Sequence, residues 1–252
     1  MKYDVAIIGA GPCGYFCAYE LVEKNPNLKV ILIDKGLSIE KRRCPVLEHK
    51  LAKCPVNPKG YNECFPACSI TNGFGGAGAY SDGKFNITTE FGGWLQDYID
   101  HDKLMDLIHY VDNINLKYGA TPVITDPFTP KVKEIERNAM SVGLKLLHSK
   151  VRHLGTEENL KILTRIYNDL SKKITALFST AVKDIIIEDG KVTGVLTDKG
   201  ETIEAENVLL AVGREGSKWL TETFEKYHIN MKQNQVDIGV RVECPNMVME
   251  EI

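Results

Sequence analysis

The chain has 252 residues, enough for one large domain or a domain and a half with a sizeable core. At 43% apolar and 26% charged it has the composition of an ordinary soluble globular protein, and a formal net charge of -3 gives no reason to expect nucleic acid or an anionic membrane as partner. The longest apolar runs are strand-sized, too short for a membrane span, and Asp4 with the glycines that follow argues against a signal peptide.

In chain order, Tyr3 to Ile8 is a short branched apolar run suited to a strand buried on both faces of a parallel sheet. Gly9, Ala10, Gly11, Pro12, Cys13 and Gly14 then form G-x-G-x-x-G. Gly9 permits the tight turn, Gly11 lets backbone approach a pyrophosphate, and Gly14 lets the next helix pack closely on the strand. The helix that opens here aims unpaired N–H groups and a positive dipole end at one spot, which suits a phosphate. Asn25, Pro26 and Asn27 stop that helix, and Leu28 to Ile33 is a second buried strand. Asp34 stands at its end, twenty residues after Gly14, where a carboxylate can accept from both ribose hydroxyls of an adenosine. The segment predicts a dinucleotide site; a βαβ unit without ligand is the plain alternative.

From Lys35 to Tyr61 periodicity is lost and basic residues gather. Lys35 adjoins Asp34 and is expected beside the cofactor with it, and Lys41, Arg42 and Arg43 either form a solvated face or fold one or two side chains, Arg42 among them, over the dinucleotide phosphates. Cys44, Cys54, Cys64 and Cys68 follow at C-x9-C-x9-C-x3-C. Reduced packed thiols, a zinc or iron–sulfur site, and a redox pair of Cys64 with Cys68 are all compatible with that spacing, which matches no standard ligand motif. Seven cysteines, an odd number, do not form a secreted disulfide framework, so a cytoplasmic setting is expected.

Ser69 to Asn86 packs Gly73, Gly75, Gly76, Gly78 and Gly83 into eleven residues. Phe74, Tyr80 and Phe85 recur too regularly for a linker, so this stretch is expected to bring backbone against a ligand, with Ser81, Asp82 and Lys84 adding polar groups at one point. A core-facing helix is predicted over Asp102 to Tyr118 and another over Asn159 to Lys173. Val132 to Leu147 does not settle between helix and strand, and His148 to His153 suits a short strand. Ala176 to Phe178 and Val182 to Glu188 form a strand pair in outline, Asp189-Gly190 signals a hairpin, and Val192 to Thr197 returns. Thr202 to Glu204 completes a meander, and Asn207 to Val212 is a further buried strand ending at Gly213 and Arg214. Val236 to Glu243 alternates as a strand that begins another sheet.

The GAGPCG fingerprint, Asp34, the meander and NVLLAVGREG together resemble the two-dinucleotide-binding flavoproteins of the glutathione-reductase type. The cysteine loop followed by ITNGFGGAGAYSDGKFNITTEFGGWL is similar, more narrowly, to bacterial FAD-dependent dehydrogenases largely without assigned substrates. The resemblance implies an α/β FAD/NAD(P)-binding three-layer domain over 1–215, in which 36–93 is the cysteine- and glycine-rich loop and 102–173 a helical insertion. The start of an incomplete substrate domain then occupies 216–252. It implies that Gly9, Gly11 and Gly14 serve the FAD pyrophosphate and Asp34 the ribose, that Val182 presents backbone to the adenine, and that Ala211 and Gly213 pass beside the cofactor. The glycines from Gly75 to Gly83 would lie near the flavin, which carries the electrons. On this pattern the chain corresponds to the N-terminal portion of a longer enzyme acting on a small-molecule substrate, with NAD(P)H as a candidate donor and a second chain as a candidate source of the remainder.

Overall fold

A computed structural model describes residues 2–55, 64, 67–232, 238–240 and 244–249. The chain divides into two compact units, Met1–Ser217 and Lys218–Ile252.

The first unit is built on a six-stranded sheet of order β5-β2-β1-β8-β7-β6. Strand β1 (Tyr3–Ile8) is central, β2 (Val30–Ile33) pairs with it in parallel on one side, and β8 (Thr202–Leu210) pairs in parallel on the other. Helix α1 (Pro12–Lys24) is the crossover between β1 and β2, and Ala18 and Val22 are buried on it. The apolar strands are buried because helices cover the sheet: Ile7, Leu32 and Ile33 expose nothing. The core continues through Tyr15, Phe74, Ile162, Ile166 and Leu170.

Two expectations about strands need correction. Strand β5 (Thr175–Leu177) does not pair with β6 (Val182–Glu188) but extends the parallel sheet beyond β2, with Leu32 opposite Ala176. A buried apolar triplet can join either neighbour, and here the parallel edge takes it. Thr202–Leu210 is one strand, not two. Its first residues close the antiparallel meander with β7 (Lys191–Thr197), and from Ala205 onward it pairs with β1. Gly194 allows that close stacking, since a Cβ there would lie 2.3 Å from the Ile203 carbonyl oxygen.

Between β2 and β5 lie α2 (His101–Lys117), α3 (Pro130–Ser141) and α4 (Thr156–Leu170). The insertion is not wholly helical: β3 (Lys84–Ile87) and β4 (Lys150–His153) form a separate antiparallel pair, with Phe85 opposite Arg152. Asp100 caps α2 by accepting from the Asp102 N–H, and Thr129 caps α3 by accepting from Val132. Helix α3, the segment that periodicity left undecided, buries no residue.

In the second unit, α5 (Ser217–Lys226) begins at the boundary. The strand expected over 236–243 falls mostly outside the described residues, and Ile238, Gly239 and Val240 carry no regular structure. No helix among the described residues is long and apolar enough to cross a membrane.

Candidate dinucleotide site

Strand β1 delivers its chain to a turn that only glycine accepts. Gly9 has φ +106°, and a Cβ there would lie 2.3 Å from the Ala211 carbonyl oxygen. The turn is pinned on both sides, Gly9 donating to the Ile33 carbonyl at 2.7 Å and Ala211 donating to the Ile8 carbonyl at 2.7 Å. Gly14 packs still closer, since its Cβ would sit 1.8 Å from the Gly9 carbonyl oxygen. Gly11 differs. The nearest atom to a Cβ there is the Gly76 Cα at 4.0 Å, so the space in front of it is open.

That space faces the start of α1, where Gly11 provides no side-chain cap and Pro12 occupies the first turn. The first intrahelical bond runs from the Tyr15 N–H to the Gly11 carbonyl, which leaves the Cys13 and Gly14 N–H groups at an uncapped terminus. Cys13 is exposed there. The glycine-rich loop forms the facing wall. Gly75 donates to the Ala10 carbonyl at 2.8 Å, and the turn Gly76–Tyr80 passes so close that a Cβ on Gly76 would lie 3.1 Å from the Gly11 Cα. Gly213 has φ +61° and nothing within 4 Å of an added Cβ.

Asp34 holds these turns together. Its Oδ2 accepts from the Ala10 N–H at 2.7 Å, and its Oδ1 accepts from Gly36 at 2.7 Å and Gly73 at 3.0 Å. Three of about four lone-pair sites are thus taken by backbone donors of the chain itself. The chain entering the meander crosses this turn: Ser179 donates to the Gly36 carbonyl and Thr180 to that of Asp34, which brings Val182 to the same end of the sheet.

Arg42 is the clearest departure from expectation. It is not held over the phosphates. It is 3% exposed, and its Nε, Nη1 and Nη2 donate to the carbonyls of Ser69, Phe74 and Ile70 at 2.8, 2.6 and 2.9 Å. Its guanidinium also lies 5.1 Å from the Tyr80 ring centroid, and Tyr80 donates back to the Arg42 carbonyl. Burial pulls its pKa below the ordinary value, with Tyr80 and Asp34 opposing. The glycine loop folds around this cation, whose planar fork reaches three of the loop's carbonyls at once. Lys35, also expected at the cofactor, pairs with Glu215 at 3.3 Å.

At the far end of the loop, Ser81 is spent locally, donating to Gly78 and accepting from Gly83. Asp82 meets Lys84 and His153, each at 3.0 Å, and both partners hold its carboxyl below the usual range. His153 comes from β4, directly opposite Lys84 in the register. Sequence reasoning missed Asn159, which is 2% exposed on the apolar face of α4 and donates to the Gly78 carbonyl at 2.7 Å. Its signal was available: a lone polar residue one turn before Ile162 and Leu163 on the buried stripe.

The cysteines do not converge. Among the described residues no group of three or more His, Cys, Asp and Glu is placed to hold a metal ion. The Cys44–Cys68 loop lies partly outside those residues.

A parallel βαβ unit with a glycine turn, a carboxylate at the end of β2 and a meander feeding back beside β1 defines the FAD/NAD(P)-binding α/β fold. Residues 1–41 match the family model of the Thi4 family, and residues 157–249 match that of Glucose inhibited division protein A. No curated protein matches the chain in direct sequence comparison. Solved structures similar to it include glycine oxidase from Geobacillus kaustophilus, 16% identical with a TM-score of 0.47 over 90% of this chain and 58% of that one. THI4 from Thermovibrio ammonificans is 15% identical with a TM-score of 0.43 over 89% of this chain and 62% of that one. E. coli quinol fumarate reductase FrdA, in mutant form, is 15% identical with a TM-score of 0.46, over 84% and 32% respectively. The chain therefore spans about a third to three fifths of these proteins. FAD, the cofactor expected from the sequence, is the one the two matched family models agree with.

Proposed function

We propose that the chain is the FAD-binding portion of a flavin-dependent oxidoreductase. The observation that carries this reading is the open space before Gly11. It is walled by backbone of Gly76 and faces an uncapped helix terminus, with Asp34 beside it. A diphosphate fits there because no Cβ intrudes and two N–H groups point outward. When bound, FAD supplies hydride or electron transfer through its flavin N5. The chain's own residues do the holding. Cys13 and Gly14 offer N–H groups to the pyrophosphate, Asp34 one carboxylate lone pair to the ribose, and the strand start at Val182 backbone to the adenine. The loop from Gly75 to Gly83, fixed by Arg42 and Asn159, backs the remaining length of the cofactor. Asp82, Lys84 and His153 lie at the end of that loop and are the titratable groups best placed to hold or move a proton there.

The substrate is a small molecule, with NAD(P)H as candidate donor. Cytoplasmic residence belongs to the same reading, supported by Cys13, Cys17, Cys44, Cys54, Cys68 and Cys244, which form no disulfide. The deciding measurement is the absorbance spectrum of the purified chain followed by extraction of its chromophore. Visible flavin bands and released FAD are expected. A colourless protein that takes up no FAD and binds NADH tightly instead would make it an NAD(P)-binding dehydrogenase.

A further inference from the structure

One ion pair crosses the mouth of the dinucleotide cleft. Strands β2 and β8 flank β1, with Ile33 and Leu210 both level with Ile8, so their carboxyl ends stand about 10 Å apart on either side of the Gly9 turn. Lys35 leaves the end of β2 directly after Asp34, and Glu215 lies in the turn Arg214–Gly216 that follows β8. Their side chains meet at 3.3 Å, although 180 residues separate them in sequence, and both belong to the first unit. The contact thus runs from one flank of β1 to the other, at the strand ends across which a dinucleotide lies. Both backbones are held. Asp34 donates to the Leu177 carbonyl and its carboxylate takes the Gly36 N–H, while Gly216 donates to the carbonyls of Val212 and Gly213. The pair therefore opens by side-chain rotation alone.

We infer that Lys35 is a phosphate ligand of this cleft which Glu215 occupies in the empty protein, and that the pair parts when a dinucleotide enters. A diphosphate set against the Cys13 and Gly14 N–H groups competes with the Glu215 carboxylate for the ammonium and repels that carboxylate from the same place. The Lys35 and Glu215 side chains are 35% and 56% exposed, so the contact they give up is a solvated one, which costs little to break. This exchange rests on the dinucleotide reading of the cleft and not on the flavin.

ADP, the half common to FAD and NAD(P)H, is the probe, and its binding to the full chain is read by calorimetry. Glu215→Gln is expected to tighten ADP roughly fivefold and Lys35→Gln to weaken it roughly tenfold. Added to Lys35→Gln, the Glu215→Gln change should bring no further gain, because no cation is left to release. An equal gain with and without Lys35 would reduce the effect to a general loss of negative charge and overturn the exchange. Weaker ADP binding by Glu215→Gln would overturn it too, since the pair would then be a strap that closes over the ligand. Unchanged ADP affinity in Glu215→Gln removes this inference alone, whereas a parent chain that binds no ADP removes the dinucleotide reading with it.

Discussion

Two glycines three residues apart separate stability from binding. Alanine at Gly14 would drive a methyl group to 1.8 Å from the Gly9 carbonyl oxygen, so Gly14→Ala is expected to cost about 3 kcal/mol or more in chemical denaturation. Gly11 has φ -70°, which alanine adopts freely, and open space before it. Gly11→Ala should therefore leave the unfolding midpoint of the FAD-free chain unchanged or slightly raised. FAD affinity, measured by flavin fluorescence, should fall at least roughly tenfold, because the methyl occupies the place of the pyrophosphate. Equal FAD affinity in parent and variant would remove Gly11 from the cofactor contact. Arg42 sits on the stability side of the same division. Lysine cannot serve three carbonyls spread over Ser69 to Phe74, so Arg42→Lys should cost about 2–4 kcal/mol in denaturation.

Between elements, a chain of polar contacts joins α1, α2 and α4 at one edge. Lys173 lies 2.7 Å from Glu23 and 3.2 Å from Asp169, Tyr118 donates to Asp169 at 2.5 Å, and Lys117 donates to the Tyr19 hydroxyl at 2.7 Å. The bond from Tyr118 holds the Asp169 carboxyl below its ordinary 3.8, and the bond from Lys173 holds Glu23 below 4.5. Folded-state values that are depressed contribute stability above the ordinary values and lose it as pH falls through the lowered ones. Thermal melts should accordingly drop on acidification below about 4.5, and the Glu23→Gln/Asp169→Asn double variant should melt lower at neutral pH but lose less on acidification. Parallel pH profiles for parent and variant would show that the network is too solvated to matter.

The same elements show how much could be read from residue order. The βαβ unit, the meander, α2 and α4 follow from periodicity and turn chemistry, which are local. Pairing partners are not local. Thr175–Leu177 is apolar enough for either sheet edge, and nothing near it says that β2 is its neighbour. Helix α3 hid because an element that buries nothing has little need of a clean stripe. At the site, Gly9 and Gly14 were legible because positive φ at the one and close approach at both demand them. Arg42 was misplaced because a buried guanidinium and a phosphate clamp look alike in sequence. The link from Asp82 to His153 depends on the register of β3 and β4, which no local pattern encodes.

At the scale of the whole molecule, the division after Ser217 predicts separable stability. The core residues Ile7, Leu32, Phe74, Ile166 and Val195 all lie in the first unit, so a chain ending at Ser217 should melt cooperatively, within a few degrees of the 252-residue protein. A broad, non-cooperative melt would show that Lys218–Ile252 is needed to fold the rest. Strand β8 has one more consequence. It is the neighbour of β1, with Ile7 opposite Leu209, and the Gly9 turn is closed by Ala211. During synthesis the glycine fingerprint therefore leaves the ribosome some two hundred residues ahead of its second wall. Closure over so long a loop is slow. A dinucleotide site at this turn thus waits for β8 to be made, and a nascent chain stalled before β8 would carry the complete fingerprint without a place for the dinucleotide to rest.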